Sequence, residues 1–98
     1  MRKFIVERDV PAIGKAERQE LKAVAGSFNA ALRQPGSEIQ WVESYVADDK
    51  TFCVFFAPDE HTIRHHAERS GFPIDKITEI MTVIDPTTTL SRDSSSPD

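Results

Sequence analysis

The sequence predicts an α+β domain built in the order β-α-β-β-α-β: a four-stranded antiparallel sheet with two helices on one face. Three observations predict it. Apolar residues recur at helical spacing along 15–33, and a capped segment opens near residue 59. Four short runs rich in β-branched and aromatic residues flank these stretches. Proline, glycine and paired aspartates punctuate the joints.

The first strand is expected over 3–8, where Phe4-Ile5-Val6 forms a β-rich centre, and Pro11 and Gly14 end it. In the helix over 15–33, Leu21, Val24, Ala25, Phe28 and Leu32 are spaced 3, 1, 3 and 4 apart and make one apolar stripe. Lys15, Glu17, Arg18, Glu20 and Lys22 fall largely on the other side, and Gln34-Pro35-Gly36 stops the helix. Runs at 39–47 and 51–57, joined by Asp48-Asp49, read as a hairpin. Asp59 is a good N-cap for the second helix, Glu60 suits its first turn, and Gly71 suits its end, with Phe72-Pro73 turning the chain. Residues 77–84 are the fourth strand.

Residues 1–86 are expected to form the domain, and 87–98 a polar Ser/Thr/Asp-rich tail whose composition predicts flexibility. The element order is the ferredoxin-like, split βαβ signature. Right-handed crossovers put both helices on one face and give the spatial strand order 4-1-3-2.

A 98-residue chain makes one domain with a modest core, so association that covers more apolar surface would help it. Net charge −4 and a pI of about 5.3 argue against a nucleic-acid module or an anionic membrane as partner. The single cysteine, Cys53, allows no internal disulfide and points to a reducing cytoplasm. Met1–Val10 has no apolar run or cleavage site of a signal peptide, and nothing approaches a membrane span.

Side chains alternate across a strand, so a face can be assigned to each residue. The expected helix-covered face takes Phe4, Val6, Val42, Val46, Phe52, Val54, Phe56, Ile80 and Ile84. The open face then takes Ile5 and Glu7; Trp41, Glu43 and Tyr45; Cys53 and Phe55; and Ile77, Glu79, Met81 and Val83. Large aromatics with three carboxylates are more than a monomer usually leaves in water. Two compatible expectations follow: a homodimer with stacked sheets, and a ligand or metal pocket using Glu7, Trp41, Glu43, Tyr45, Cys53 and Glu79.

All three histidines, His61, His65 and His66, fall on the second helix. His61 and His65 are i, i+4 neighbours, a spacing that lets two imidazoles chelate a transition metal, and Glu68 could add an oxygen. The alternative is a solvated helix face. His66 lies beside Ile63 and Ala67, where a half-buried, hydrogen-bonded histidine is the usual outcome and a metal ligand the other. Thr62 follows His61 where a zinc-protease helix needs Glu, and no phosphate loop or dinucleotide fingerprint is present.

Four stretches carry a resemblance: Phe-Ile-Val-Glu-Arg at 4–8, Trp-Val-Glu-Ser-Tyr-Val with Asp-Lys-Thr-Phe-Cys-Val within 41–54, Ala-Pro with Ile-Arg-His-His-Ala-Glu-Arg-Ser-Gly-Phe-Pro from 57 to 73, and Ile-Thr-Glu-Ile at 77–80. Over about 3–86 the chain resembles the bacterial family of small ferredoxin-like domains of unknown function often labelled nickel-binding protein. Glu7, Trp41, Ser44, Tyr45, Lys50, Thr51, Cys53, His66 and Glu79 match that family's pattern, while His61 and His65 lie outside it. The resemblance implies a cytoplasmic homodimer binding Ni(II) or another divalent transition metal, without catalysis. The alternative is a cofactor-free small enzyme or ligand-binding module that uses the open sheet face for a small molecule.

Overall fold

Residues 1–33, 38–71 and 73–90 are described by the structure, a computed structural model. The strands are β1 (Arg2–Asp9), β2 (Gln40–Val46), β3 (Lys50–Ala57) and β4 (Lys76–Ile80), and the helices are α1 (Arg18–Leu32) and α2 (Glu60–Ser70). All pairings are antiparallel, in the order β2-β3-β1-β4, which is the expected 4-1-3-2 read from the other edge. The ferredoxin-like α+β architecture is therefore as the sequence predicts.

Local chemistry explains the element ends. Asp59 Oδ1 accepts from the Thr62 amide at 2.7 Å and the Thr62 hydroxyl at 2.8 Å, which caps α2. Those two hydrogen bonds hold the Asp59 carboxyl below the usual carboxylate range. Gly71 closes α2 at φ 74°, where a Cβ would be strained. Helix α1 starts at Arg18 rather than at residue 15, because Ala16 is extended at ψ 140° and separates it from a 3₁₀ turn over Ile13–Lys15. The stop signal Gln34-Pro35-Gly36, Phe72 of the following turn, and residues 91–98 of the tail lie outside the described residues.

Strand β4 is shorter than expected. Its register with β1 ends at Lys3↔Ile80, so Met81 onward has no β1 residue opposite it. Met81, Val83 and Ile84 are consequently 83%, 62% and 77% exposed rather than divided between two sheet faces. Pro86–Leu90 winds into a 3₁₀ turn that starts at Asp85, whose carboxylate accepts from the Thr87 hydroxyl and amide at 2.6 and 2.8 Å.

The registers also correct the face assignment. Phe4 pairs with Phe55, Val6 with Cys53 and Arg8 with Thr51, so these six share the helix-covered side. Phe52, Val54 and Phe56 lie opposite Glu7, Ile5 and Lys3 and turn to the open side instead. Every residue of β3 from Phe52 to Ala57 is apolar, so alternation alone could not fix its parity. In β4, Ile77 and Glu79 pair with Val6 and Phe4 on the helix side, and Ile80 with Lys3 on the open side. A bulge between Trp41 and Glu43 places Trp41 opposite Phe55 under the helices, while Glu43 and Tyr45 face Val54 and Phe52 on the open side. The bulge leaves Val42 50% exposed rather than in the core.

The core is Phe4, Val6, Ile39, Ala57 and Ile63, with Leu32, Phe55, Ile74 and Ile77 packed against it. Helix α2 closes on it through Ile63 and Ala67. Helix α1 buries Phe28 alone among its residues. Leu21, Ala25 and Leu32 of its stripe are half-buried, and Val24 is 40% exposed.

Candidate functional site

On α2 each residue turns the helix by about 100°. His61 and His65 are each two residues from buried Ile63, so they point away from the core and are exposed. Their rings lie nearly parallel, 15° apart in plane and 6.1 Å between centroids. Arg64 between them is held by Glu60 at 2.8 Å, the i, i+4 pair next to the imidazoles. Glu68 is on the exposed side of α2 but is not gathered with the histidines. Among the described residues no group of three or more His, Cys, Asp or Glu side chains is arranged to hold a metal ion. One chain thus sets two exposed imidazoles side by side.

His66 occupies the other side of the helix. It is half-buried, with Nε2 3.2 Å from the Ala31 carbonyl oxygen of α1. It ties the two helices together and sits apart from the His61–His65 pair.

The open-face candidates divide. Glu7, Glu43 and Tyr45 do share that face. Lys50 Nζ lies 3.6 Å from Glu7 and 3.8 Å from Asp9. The Tyr45 hydroxyl donates to the Glu43 carboxylate, and this bond, then the neighbouring negative charge, raises the phenol's pKa. Trp41, Cys53 and Glu79 are corrected to the helix side. Trp41 packs edge-on against Phe28 at 5.3 Å and donates through Nε1 to Ser44 Oγ at 2.9 Å. Cys53 is 1% exposed. Glu79 sits at the sheet edge, where Arg2 donates twice to it at 2.6 and 2.8 Å, and these bonds lower its pKa.

What remains on the open face is an apolar centre with a charged rim. Ile5, Phe52, Val54, Phe56 and Ile80 form the centre. Lys3 lies 5.9 Å above the Phe56 ring, Lys50 5.9 Å above the Phe52 ring, and Glu7 and Glu43 complete the border. Val54 is 5% exposed although no helix covers it, because its neighbours shield it.

Against this geometry, a family described as "Nickel responsive protein SCO4226-like" matches residues 4–80. The chain belongs to the SCO4226-like family. The crystal structure of SCO4226 from Streptomyces coelicolor A3(2) superposes with a TM-score of 0.63 at 15% identity, covering 84% of this chain and 99% of that one. At that identity the likeness shows the fold, which is shared across the whole SCO4226 domain. No curated protein matches the chain. No helix among the described residues is long and apolar enough to cross a membrane.

His61 and His65, the two side chains whose rings the fold sets together, lie within the matched residues 4–80. Sequence reasoning missed Arg8 as a polar residue under the helices. A signal for it was available, since Arg8 follows Phe4 and Val6 at a period of two on the core-facing side.

Proposed function

We propose that this SCO4226-like protein binds a divalent transition metal, Ni(II) first, as a non-catalytic homodimer in the reducing cytoplasm. The observation that carries the metal reading is the exposed, near-parallel His61–His65 pair on a capped helix. Neutral imidazole suits Ni(II), Cu(II) and Zn(II), and a helical i, i+4 pair presents two such donors without a loop to order. The family description supplies the choice of nickel. Two nitrogens leave further coordination positions to water or to a second subunit. The donor set therefore fits part of a metal site, and this chain's contribution is to hold two imidazoles on one helix face.

Dimerisation is supported by the open sheet face, where an apolar centre carries its own charged rim, as protein interfaces do. Exposed Met81, Val83, Ile84 and Leu90 add apolar surface beyond β4 that a second copy would cover.

Equilibrium dialysis of untagged protein against Ni(II), with metal analysis and with Zn(II), Co(II) and Cu(II) in parallel, tests the reading. Saturable nickel uptake that falls about 100-fold or more in affinity in His61→Asn is expected, because losing one arm of a chelate removes its avidity. No uptake of any of the four metals at micromolar concentration contradicts it.

A further inference from the structure

The gap between α1 and the sheet holds a cleft whose lining includes none of the histidines. It is a cleft of about 220 Å³ roofed by Leu21, Val24 and Phe28 of α1 and walled by Trp41 and Val46 of β2. Its floor holds Arg8 and Thr51, a directly opposed cross-strand pair whose side chains project from the same side of the sheet. Thr51 Oγ1 is buried and has no hydrogen-bond partner among the described residues. Buried hydroxyls are nearly always satisfied, so an unpartnered one in the wall of a cleft is a candidate partner for a ligand atom once the side chain turns toward it. Among the described residues no acidic side chain lines the cleft, and Arg8 brings a guanidinium to it. The guanidinium lies against the Phe28 ring, 5.5 Å from carbon to centroid. Its planar fork has five donors, so it can serve a carboxylate in addition to its present contacts.

We propose that this cleft binds a small apolar monocarboxylate, with the carboxylate on Arg8 and Thr51 and the apolar body between α1 and Trp41. Pockets for drug-sized ligands run to roughly 300–1,000 Å³, so the occupant of this smaller cleft is a short fatty acid or an arylalkyl acid. The site needs neither the metal nor the dimer.

Trp41, the chain's one tryptophan, reports directly on it. Hexanoate and phenylacetate are titrated into the full chain with EDTA present, following Trp41 emission and heat. Hexanamide and phenylacetamide serve as uncharged matches. Saturable binding of the acids in the micromolar to millimolar range is expected, with the amides about tenfold weaker, as the loss of a charge-assisted hydrogen bond predicts. Thr51→Val and Arg8→Met should each weaken the acids about tenfold while leaving the amides unchanged. Val24→Phe keeps the charge and fills the cleft from the exposed side of α1, so it should abolish binding of acids and amides alike even if Arg8→Met fails to fold. Equal binding of acids and amides, undiminished binding in Val24→Phe, or no saturable signal from either acid at millimolar concentration overturns the proposal.

Discussion

Replacing Gly14 with alanine should destabilise the protein, because the 3₁₀ turn over Ile13–Lys15 lies flat on the β2–β3 hairpin. A Cβ at Gly14 would stand 2.7 Å from Asp48 Cα and 2.8 Å from the Ala47 carbonyl oxygen, both rigid backbone atoms. Reaching the 3.4 Å of an ordinary contact means moving the turn away by about 0.7 Å. Overpacking of this kind costs about 1–3 kcal/mol. The displacement also strains the bonds that seat the turn: Gly14 N–H to Asp48 O at 2.9 Å, Val10 N–H to Asp49 O at 2.9 Å and Ala12 N–H to Asp49 Oδ1 at 2.8 Å. For a domain of this size about 1 kcal/mol shifts Tm by roughly 4–8 °C. Gly26→Ala is the matched control. Its Cβ meets nothing within 4 Å and it sits inside α1, so it should stabilise by about 0.5–1 kcal/mol. Urea unfolding followed by Trp41 fluorescence, at one protein concentration, measures both. A Gly14→Ala protein as stable as wild type would refute the turn-on-hairpin packing.

Other outcomes follow from the same geometry. Ultraviolet titration of Tyr45, the only tyrosine, should give a midpoint above that of free tyrosine, and Glu43→Gln should bring it down. The sign follows from the bond: the folded state favours the neutral phenol, so its contribution to stability is complete below the ordinary tyrosine pKa and is lost as pH rises through the raised value. Phe56→Glu places a charge at the centre of the open face while Lys3 can still pair with it. Sedimentation equilibrium should show the proposed dimer in wild type and its dissociation in the variant, since losing a central aromatic costs about 2 kcal/mol, roughly 30-fold in Kd. In Glu79→Gln the sheet edge loses its ion pair with Arg2. Because the folded-state pKa of Glu79 is depressed, wild type should lose stability on acidification through the carboxylate range more steeply than the variant, as thermal melts at several pH values would show.

The fold was legible because its punctuation is chemical. Asp59 and Gly71 bracket α2, Asp48-Asp49 turns the hairpin, and the strand order follows from the element sequence. The faces were only half legible. Phe4 and Val6 declare their side by alternating with Lys3 and Glu7, but Phe52 to Ala57 carries no polar residue to set its parity. Trp41 was misplaced by a bulge, a one-residue insertion that hydrophobic pattern does not report. Glu79 reads as an open-face carboxylate until its partner is known, and that partner, Arg2, is far away in sequence. The His61–His65 pair was readable from helical spacing alone, since i, i+4 neighbours share a helix face wherever the helix packs. The Arg8–Thr51 floor needed the strand register, which joins residues more than forty positions apart.

The metal reading is tested most directly by following the three imidazole rings by NMR as Ni(II) is added to untagged protein. Paramagnetic nickel broadens the nuclei nearest to it. The account predicts that the His61 and His65 ring signals vanish together at the first additions, while His66, held against the Ala31 carbonyl on the other side of α2, persists. Loss of the His66 signals first, with His61 and His65 intact, would contradict it.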